Sequence, residues 1–388
     1  MTVETVPLRD LCDVRIGRTP SRSDPRYWGG PGIWISISEL NGRDLSDSRE
    51  HISELAIRDV MPPPVPAGTL LFSFKLSIGK MAVSAVPLYT NEAIAALPIR
   101  DPDRLDRDYL RYALMATSGA AQTNHAVLGA VLNKAKVEAL PIPLVPLSDQ
   151  HRIVDMLSRA ENIVRMRREA EQKAKEIIPS LFLDMFGDPA TNPRAWEVRN
   201  VGDVIHSAEY GTSTKASEDG RGMRVIRMGN VDVTGRLNLA DLKYVVLPEA
   251  ERRRYALETG DILFNRTNSK ELVGKTGIWR PSEPAVAASY FIRVRVNEDT
   301  ILPDYFWAFM NTRHMKSVLY STARGAIGQS NINTQELRAF VVPCPPTSRQ
   351  RTFARRTAEA LDLEGQQSLA SETARTVFQA LLAGVFHQ

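Results

Sequence analysis

Two hydrophobic periods alternate along this chain. In the first 146 residues, short apolar runs such as GIWISI (32–37) and TLLFSF (69–74) stand between polar loops, which predicts strands. MRVIRM (223–228), DILFN (261–265) and SYFIRVRV (289–296) read the same way further on, while the segments around 106–117 and 303–319 read as helices. After residue 146 the period changes. Ile153, Leu157, Ala160, Val164, Arg167, Glu171, Ala174, Ile178, Leu181 and Met185 recur at alternating spacings of four and three, a heptad-like seam. Ser148, followed by Asp149, is the expected N-cap, Gly187 and Pro189 the expected stop. Pro179 inside the pattern is expected to kink or divide the helix near its last two turns. A helix over 149–186 would be roughly 55 Å long. A second helix is expected over about 348–385, polar early (Arg349, Arg351, Arg355, Arg356) and seam-like late (Val377, Leu381, Val385). Neither helix can bury its stripe on a compact domain smaller than itself. The two are therefore expected to pair, antiparallel, through Ile153, Leu157, Val164, Ile178, Leu181, Val377 and Leu381.

The same text is written twice. VLNKAKVEALPIPLVPLSDQ (131–150) matches NINTQELRAFVVPCPPTSRQ (331–350) at a constant offset, with Pro143 over Pro343, Pro146 over Pro346 and Gln150 over Gln350. VPLRDLCDV (6–14) matches WEVRNVGDV (196–204), AGTLLFSFKLSIGKMAV (67–83) matches TGDILFNRTNSKELVGKTGI (259–278), and RDYLRYALMAT (107–117) matches PDYFWAFMNT (303–312). The collinear order implies one supersecondary plan used twice. The expected organisation is an α/β domain over 1–146, a central helix over 147–187, a second α/β domain over 188–346 and a distal helix over 347–388, a mixed α/β fold overall.

Composition narrows the function classes. At 388 residues, with 43% hydrophobic and 24% charged residues, the chain suits two globular domains. The formal net charge is +4; residues 1–145 balance 16 basic against 16 acidic, whereas 190–345 carry 21 against 17. That excess fits a polyanion partner or a solvated surface equally well. Cys12 and Cys344 are too far apart for a zinc ribbon and suggest a reducing compartment. With no long apolar run, a cytoplasmic protein without a membrane partner is expected. Motifs of catalysis are missing: SIGK (77–80) has Phe74 where a phosphate loop needs glycine, NPRAW (192–196) lacks the second proline of an amino-methylating site, and neither HExxH nor GxSxG occurs.

The loops carry donors instead. Arg18, Thr19, Ser21 and Arg22, then Lys75, Ser77 and Lys80, lie in the first copy. Gly211, Thr212, Ser213 and Lys215, then Asn265, Arg266, Thr267, Asn268 and Lys270, lie in the second. Arginine reads guanine bidentately, asparagine reads adenine, and lysine, serine and threonine anchor phosphates. The same residue types also make ordinary loops. His125 with Gly129, and Gly325 with Gln329 and Asn331, occupy equivalent loops that are either base-reading elements or tight turns.

The junctions PLVPLSDQHRIVDML and PCPPTSRQRTFARR, the helix end SLFLDMFGDP, the opening PLRDLCDVRIGRTPSR and the segment IGKMAV…YTNEAIAAL resemble those of type I restriction–modification specificity subunits. The resemblance spans essentially the whole chain. It implies a DNA reader without catalysis of its own and without a bound cofactor. Each of two target-recognition domains would read one half of a gapped double-stranded DNA site. The paired helices would set the gap and dock two methyltransferase (modification) subunits, which bind S-adenosylmethionine. Restriction motor subunits, which use ATP and magnesium, would complete the complex. The distal helix departs from the pattern, being more polar and containing Gly365. A non-catalytic scaffold whose α/β modules bind something other than DNA is the alternative.

Overall fold

A computed structural model describes residues 4–42, 44–123, 132–326 and 329–386. It divides into two compact units, Met1–Arg167 with Ala370–Gln388, and Arg168–Leu369. The fold is mixed α/β, and both units follow one plan.

In the first unit a five-stranded sheet has the order Arg15–Ile16, Ile94–Leu97, Leu70–Ser73, Met81–Ser84, Asp44–Leu45. Leu70–Ser73 is hidden on both faces, which is why it reads as an unbroken apolar run. Leu70 and Phe72 face one core with Ala95 and Leu97. Leu71 faces another with Ile94 and Ala96. A second sheet sets Trp28–Ile35 between Glu50–Ile52 (antiparallel) and Tyr89–Thr90 (parallel). In the second unit Ile205–Tyr210, Phe291–Val296, Ile262–Asn265 and Thr276–Ile278 repeat the first sheet, and Lys243–Val245, Met223–Ile226 and Ala285–Ala287 repeat the second with the same sense of pairing. The region 303–319 forms two helices, Pro303–Met310 and Arg313–Thr322, the break falling where Thr312 caps the second by accepting from the Met315 N–H.

The doubled junction is a doubled clamp. Glu4–Pro7 pairs with Pro141–Leu144, and Glu197–Asn200 with Val341–Cys344, two-stranded ladders that tolerate proline because one edge of each strand is unpaired. The Tyr109 hydroxyl donates to the Pro143 carbonyl and the Tyr305 hydroxyl to the Pro343 carbonyl, both at 2.8 Å. Gln150 and Gln350 are fully buried. Gln150 Oε1 accepts from the Asp106 N–H at 2.9 Å, and its Nε2 donates to the Arg104 and Val145 carbonyls. Gln350 makes the same three bonds to Leu302 N–H, Thr300 and Pro345. Each glutamine thus ties the first turn of a long helix to the loop that precedes a domain helix.

The central helix is Leu147–Phe186 and the distal helix Thr347–Phe386. Two expectations change. Ser148 lies inside the first turn; the Pro146 carbonyl takes the capping role by accepting from Asp149 and Gln150 N–H. Pro179 does not divide the helix. Its missing N–H forfeits one bond, and the turns on either side are held by burial of Ile178, Phe182 and Phe186. Gly187 ends the helix with φ +82°, its N–H donating to the Leu183 carbonyl at 2.8 Å.

Each unit takes half of each long helix, in opposite directions. In the first, Ile153, Leu157 and Ala160 of the central helix pack with Phe378, Leu382 and Phe386 of the distal helix and with Tyr112 and Ala116. In the second, Phe353 and Ala360 of the distal helix pack with Ile178, Phe182 and Phe186 of the central helix and with Tyr305. The long-helix residues of the two sets correspond at the offset of the repeat, Ile153 with Phe353, Ala160 with Ala360, and Ile178, Phe182 and Phe186 with Phe378, Leu382 and Phe386. Leu381 and Val164 flank the first cluster and Leu181 the second, whereas Val377 is 51% exposed. Ion pairs lock the helices to the domains: Arg111 and the Tyr112 hydroxyl meet Glu161 in the first unit, and Arg236 meets the buried Glu364 in the second.

Candidate nucleic-acid interface

In both units the loop of interest leaves the sheet at a glycine that cannot be replaced. A Cβ on Gly17 would lie 1.9 Å from the Thr90 carbonyl oxygen, and one on Gly211 would lie 2.2 Å from that of Ala287. The following residues close the approach, Arg18 N–H donating to Thr90 O at 2.8 Å and Thr212 N–H to Ala287 O at 2.9 Å. The glycines are required by proximity, and the two loops start from equivalent points.

In the first copy, Arg18 is exposed and its carbonyl accepts from the Trp34 indole N–H. Arg22 forms a two-pronged ion pair with Glu50 and lies 4.0 Å from the Trp28 ring centroid and 4.9 Å from that of Trp34. The hydrogen bond to Glu50 raises the Arg22 guanidinium pKa. Thr19 donates to Glu92, which holds that carboxyl below its usual range, with Lys75 and Arg22 adding to the effect. The Ser21 and Ser23 hydroxyls bond each other. Lys75, Ser77 and Lys80 sit on the tip between Leu70–Ser73 and Met81–Ser84, Ser77 and Lys80 exposed and the Lys75 ammonium 5.3 Å from the Phe74 ring. Arg22 and Thr19 are thus engaged with carboxylates, and a phosphate or base would have to compete for them.

The second copy sorts its residues differently. Asn265 is fully buried; its amide donates to the Thr267 and Tyr290 carbonyls and its Oδ1 accepts from Asn268. Thr267, also buried, donates to Asn331 Oδ1 at 3.1 Å. These side chains brace the loop and are not presented outward. Gln329 lies in the strand Gln329–Asn331, which joins Thr267–Asn268 and Arg324–Ala326 in a small sheet. Thr212 is buried, while Ser213 and Lys215 are exposed. Arg266 stacks 4.6 Å over Tyr210, and Lys270 lies 4.6 Å over Tyr320. His125 falls outside the described residues.

Exposed rings not expected from the sequence join these cations. Tyr210, Tyr290 and Tyr320 are all more than two-fifths exposed, and two of them carry a cation on the face. Tyr210 follows the strand pattern of IHSAEY, where an aromatic after Glu209 was a legible cue. Cations and open ring faces together can meet phosphates and stack on bases. Among the described residues there is no cluster of His, Cys, Asp or Glu able to hold a metal, and no helix long and apolar enough to cross a membrane.

Comparison with known proteins agrees with the repeat. The specificity subunit of the type I restriction enzyme EcoKI of Escherichia coli K12 is 24% identical over 274 residues, 66% of this chain and 59% of that one. The MjaIX specificity subunit of Methanocaldococcus jannaschii is 25% identical over 232 residues, 54% and 53% of the two chains. The matches thus span little more than half the length of these relatives. Among solved structures, a chain described in work on complex assembly and conformational transition of the type I R-M system superposes with a TM-score of 0.61 at 16% identity, covering 99% of this chain and 97% of the other. The S subunit of a type I system from M. genitalium superposes at 0.55 and 13%, covering 98% and 96%. Residues 1–176 and 193–359 match the family described as type I restriction modification DNA specificity domain, and on that match, which takes in both copies of the repeat, the chain belongs to this family.

Proposed function

We propose that this chain is the non-catalytic reader of a type I restriction–modification complex, recognising a bipartite double-stranded DNA site. The observation that carries the reading is the repetition of one domain with an exposed loop face at the same elbow, after Gly17 and after Gly211. Domains 1–146 and 188–346 each read one half-site. Arg18, Lys75, Ser77 and Lys80 serve the first; Ser213, Lys215, Arg266, Lys270, Tyr210 and Tyr320 serve the second. The central and distal helices set the unread gap and dock two methyltransferase subunits, through which motor-nuclease subunits join. One helix of 40 residues measures about 60 Å at about 1.5 Å per residue, more than one turn of B-DNA at about 34 Å.

Co-expression with a partner methyltransferase, followed by mapping of methylated bases across a genome, tests the reading. A gapped two-part motif is expected. Replacing 188–346 by the corresponding domain of a relative changes one half-site and leaves the other intact; a change in both would refute the modular assignment. Affinity for duplex should fall steeply with salt, as counterion release requires. A chain that binds no duplex in a salt-dependent way is the scaffold of the alternative reading, and a purified chain that methylates or cleaves DNA by itself refutes the non-catalytic role.

A further inference from the structure

We infer that Leu76 is an apolar wedge that enters the base stack of a bound duplex and opens one step in the half-site read by the first domain. The inference rests on the DNA-reading proposal above and adds a distortion confined to one half of the site.

Leu76 stands at the tip between Leu70–Ser73 and Met81–Ser84, and its side chain is 94% exposed. Its φ of 60° lies in the left-handed region, where glycine sits without strain and leucine does not. Gly79, three residues on, shows that this loop uses glycine where only backbone conformation matters. At Leu76 a side chain is kept despite the strain and despite exposure of its whole apolar surface.

The loop that carries Leu76 is bridged across its base. The Ser73 hydroxyl donates to the Ser77 carbonyl and accepts from the Lys80 N–H at 2.9 Å; Ser73 N–H donates to Lys80 O at 2.9 Å, and Gly79 N–H to Ser73 O at 3.0 Å. Around the tip stand Lys75, Ser77 and Lys80. An apolar protein partner would need apolar neighbours here. An exposed leucine on a tip that also carries two lysines and a serine suits a polyanion whose interior is apolar, the phosphate-flanked base stack. The second copy carries no such tip. Its loop lies against the helix Arg313–Thr322, Gly274 close to Leu319, with Lys270 over Tyr320.

The test uses the full chain in complex with its co-expressed methyltransferase and a duplex bearing the mapped site. 2-Aminopurine is placed in turn at each step of the first domain's half-site. Wild type should raise the fluorescence at one step. Leu76→Gly, which relieves the backbone strain, should keep its melting temperature and salt slope. It should lose the fluorescence rise and weaken site binding on the order of tenfold, the worth of burying a leucine side chain. Leu76→Met should restore both. Dark probes at every step with wild type bound, or a glycine variant that binds and distorts like wild type, overturn the wedge while leaving DNA reading intact. Loss of methyltransferase co-purification by Leu76→Gly assigns Leu76 to a protein contact and overturns it too. Absence of any salt-dependent duplex binding by wild type instead sinks the underlying reading.

Discussion

Replacing Gln350 by glutamate changes no volume and tests the junction clamp directly. Gln350 is fully buried, so no cavity arises. Glutamate can still accept from Leu302 N–H, the bond of 2.7 Å, but the amide that donates to Thr300 O and Pro345 O at 3.0 and 2.8 Å is gone. Two neutral hydrogen bonds are worth about 1 kcal/mol each net, and two carbonyls left facing an oxygen cost more, so the loss should be about 2–4 kcal/mol at neutral pH. The new carboxyl is desolvated beside two carbonyl oxygens, so its folded pKa rises above the usual value of about 4.3. An acid raised in the folded state contributes stability that is present below its unfolded pKa and lost as pH rises through the folded one. Protonated, it also recovers one donor. The variant should therefore be closest to wild type near pH 4 and fall behind with rising pH. Urea unfolding at several pH values, with hydrogen exchange at the Leu302 amide, reads both effects. A deficit below about 0.5 kcal/mol, or one independent of pH, would refute the reasoning. Gln150→Glu should behave alike in the first unit.

Other outcomes follow from the same geometry. Gly17→Ala and Gly211→Ala should each destabilise by on the order of 3 kcal/mol in thermal melts, because the added Cβ meets backbone oxygen at 1.9 or 2.2 Å and not a side chain that can move. Glu364→Ala should cost about 3 kcal/mol by stranding the largely buried Arg236, whereas Arg236→Met with Glu364→Leu should cost much less; equal losses in a double-mutant cycle would argue against a coupled pair. Burial pushes the Lys316 ammonium down to about 8 from 10.5. Between those values the unfolded chain holds a proton that the folded chain has released, so stability should rise with pH across that window, and Lys316→Met should flatten the profile in denaturant titrations. Asn265→Ala should show as lost stability of the second domain more than as lost DNA affinity, since its amide is spent on Thr267 and Tyr290.

Local pattern was enough to place several of the strands and both long helices. Leu70–Ser73 and Ile262–Asn265 read as strands because burial on two faces leaves no polar position, and Gly187 reads as a stop because its positive φ excludes most other residues. The repeat was legible for a related reason: the same clamp, Tyr to proline carbonyl and Gln to three backbone groups, needs the same residues twice. The seam of the distal helix was less so. Val377 and Leu381 fit the period of a pairing helix, yet Phe378 and Leu382 are the buried residues, because the helix is turned toward a domain as well as toward its partner.

Which loop side chains face outward was not legible. Asn265 has the chemistry of a base reader and Thr267 that of a phosphate anchor, and tertiary neighbours spend both inside. Arg22 has the chemistry of a guanine reader, and Glu50, 28 residues away in sequence, claims it. Tyr320 and Leu76 are apolar or aromatic positions with no local cue to exposure, and only the fold leaves them in solvent. Sequence determined the long helices, the duplication and the stop at Gly187, since those depend on period and on backbone conformation within a few residues. The exposed face was decided by contacts between residues far apart in the chain, which no local pattern records.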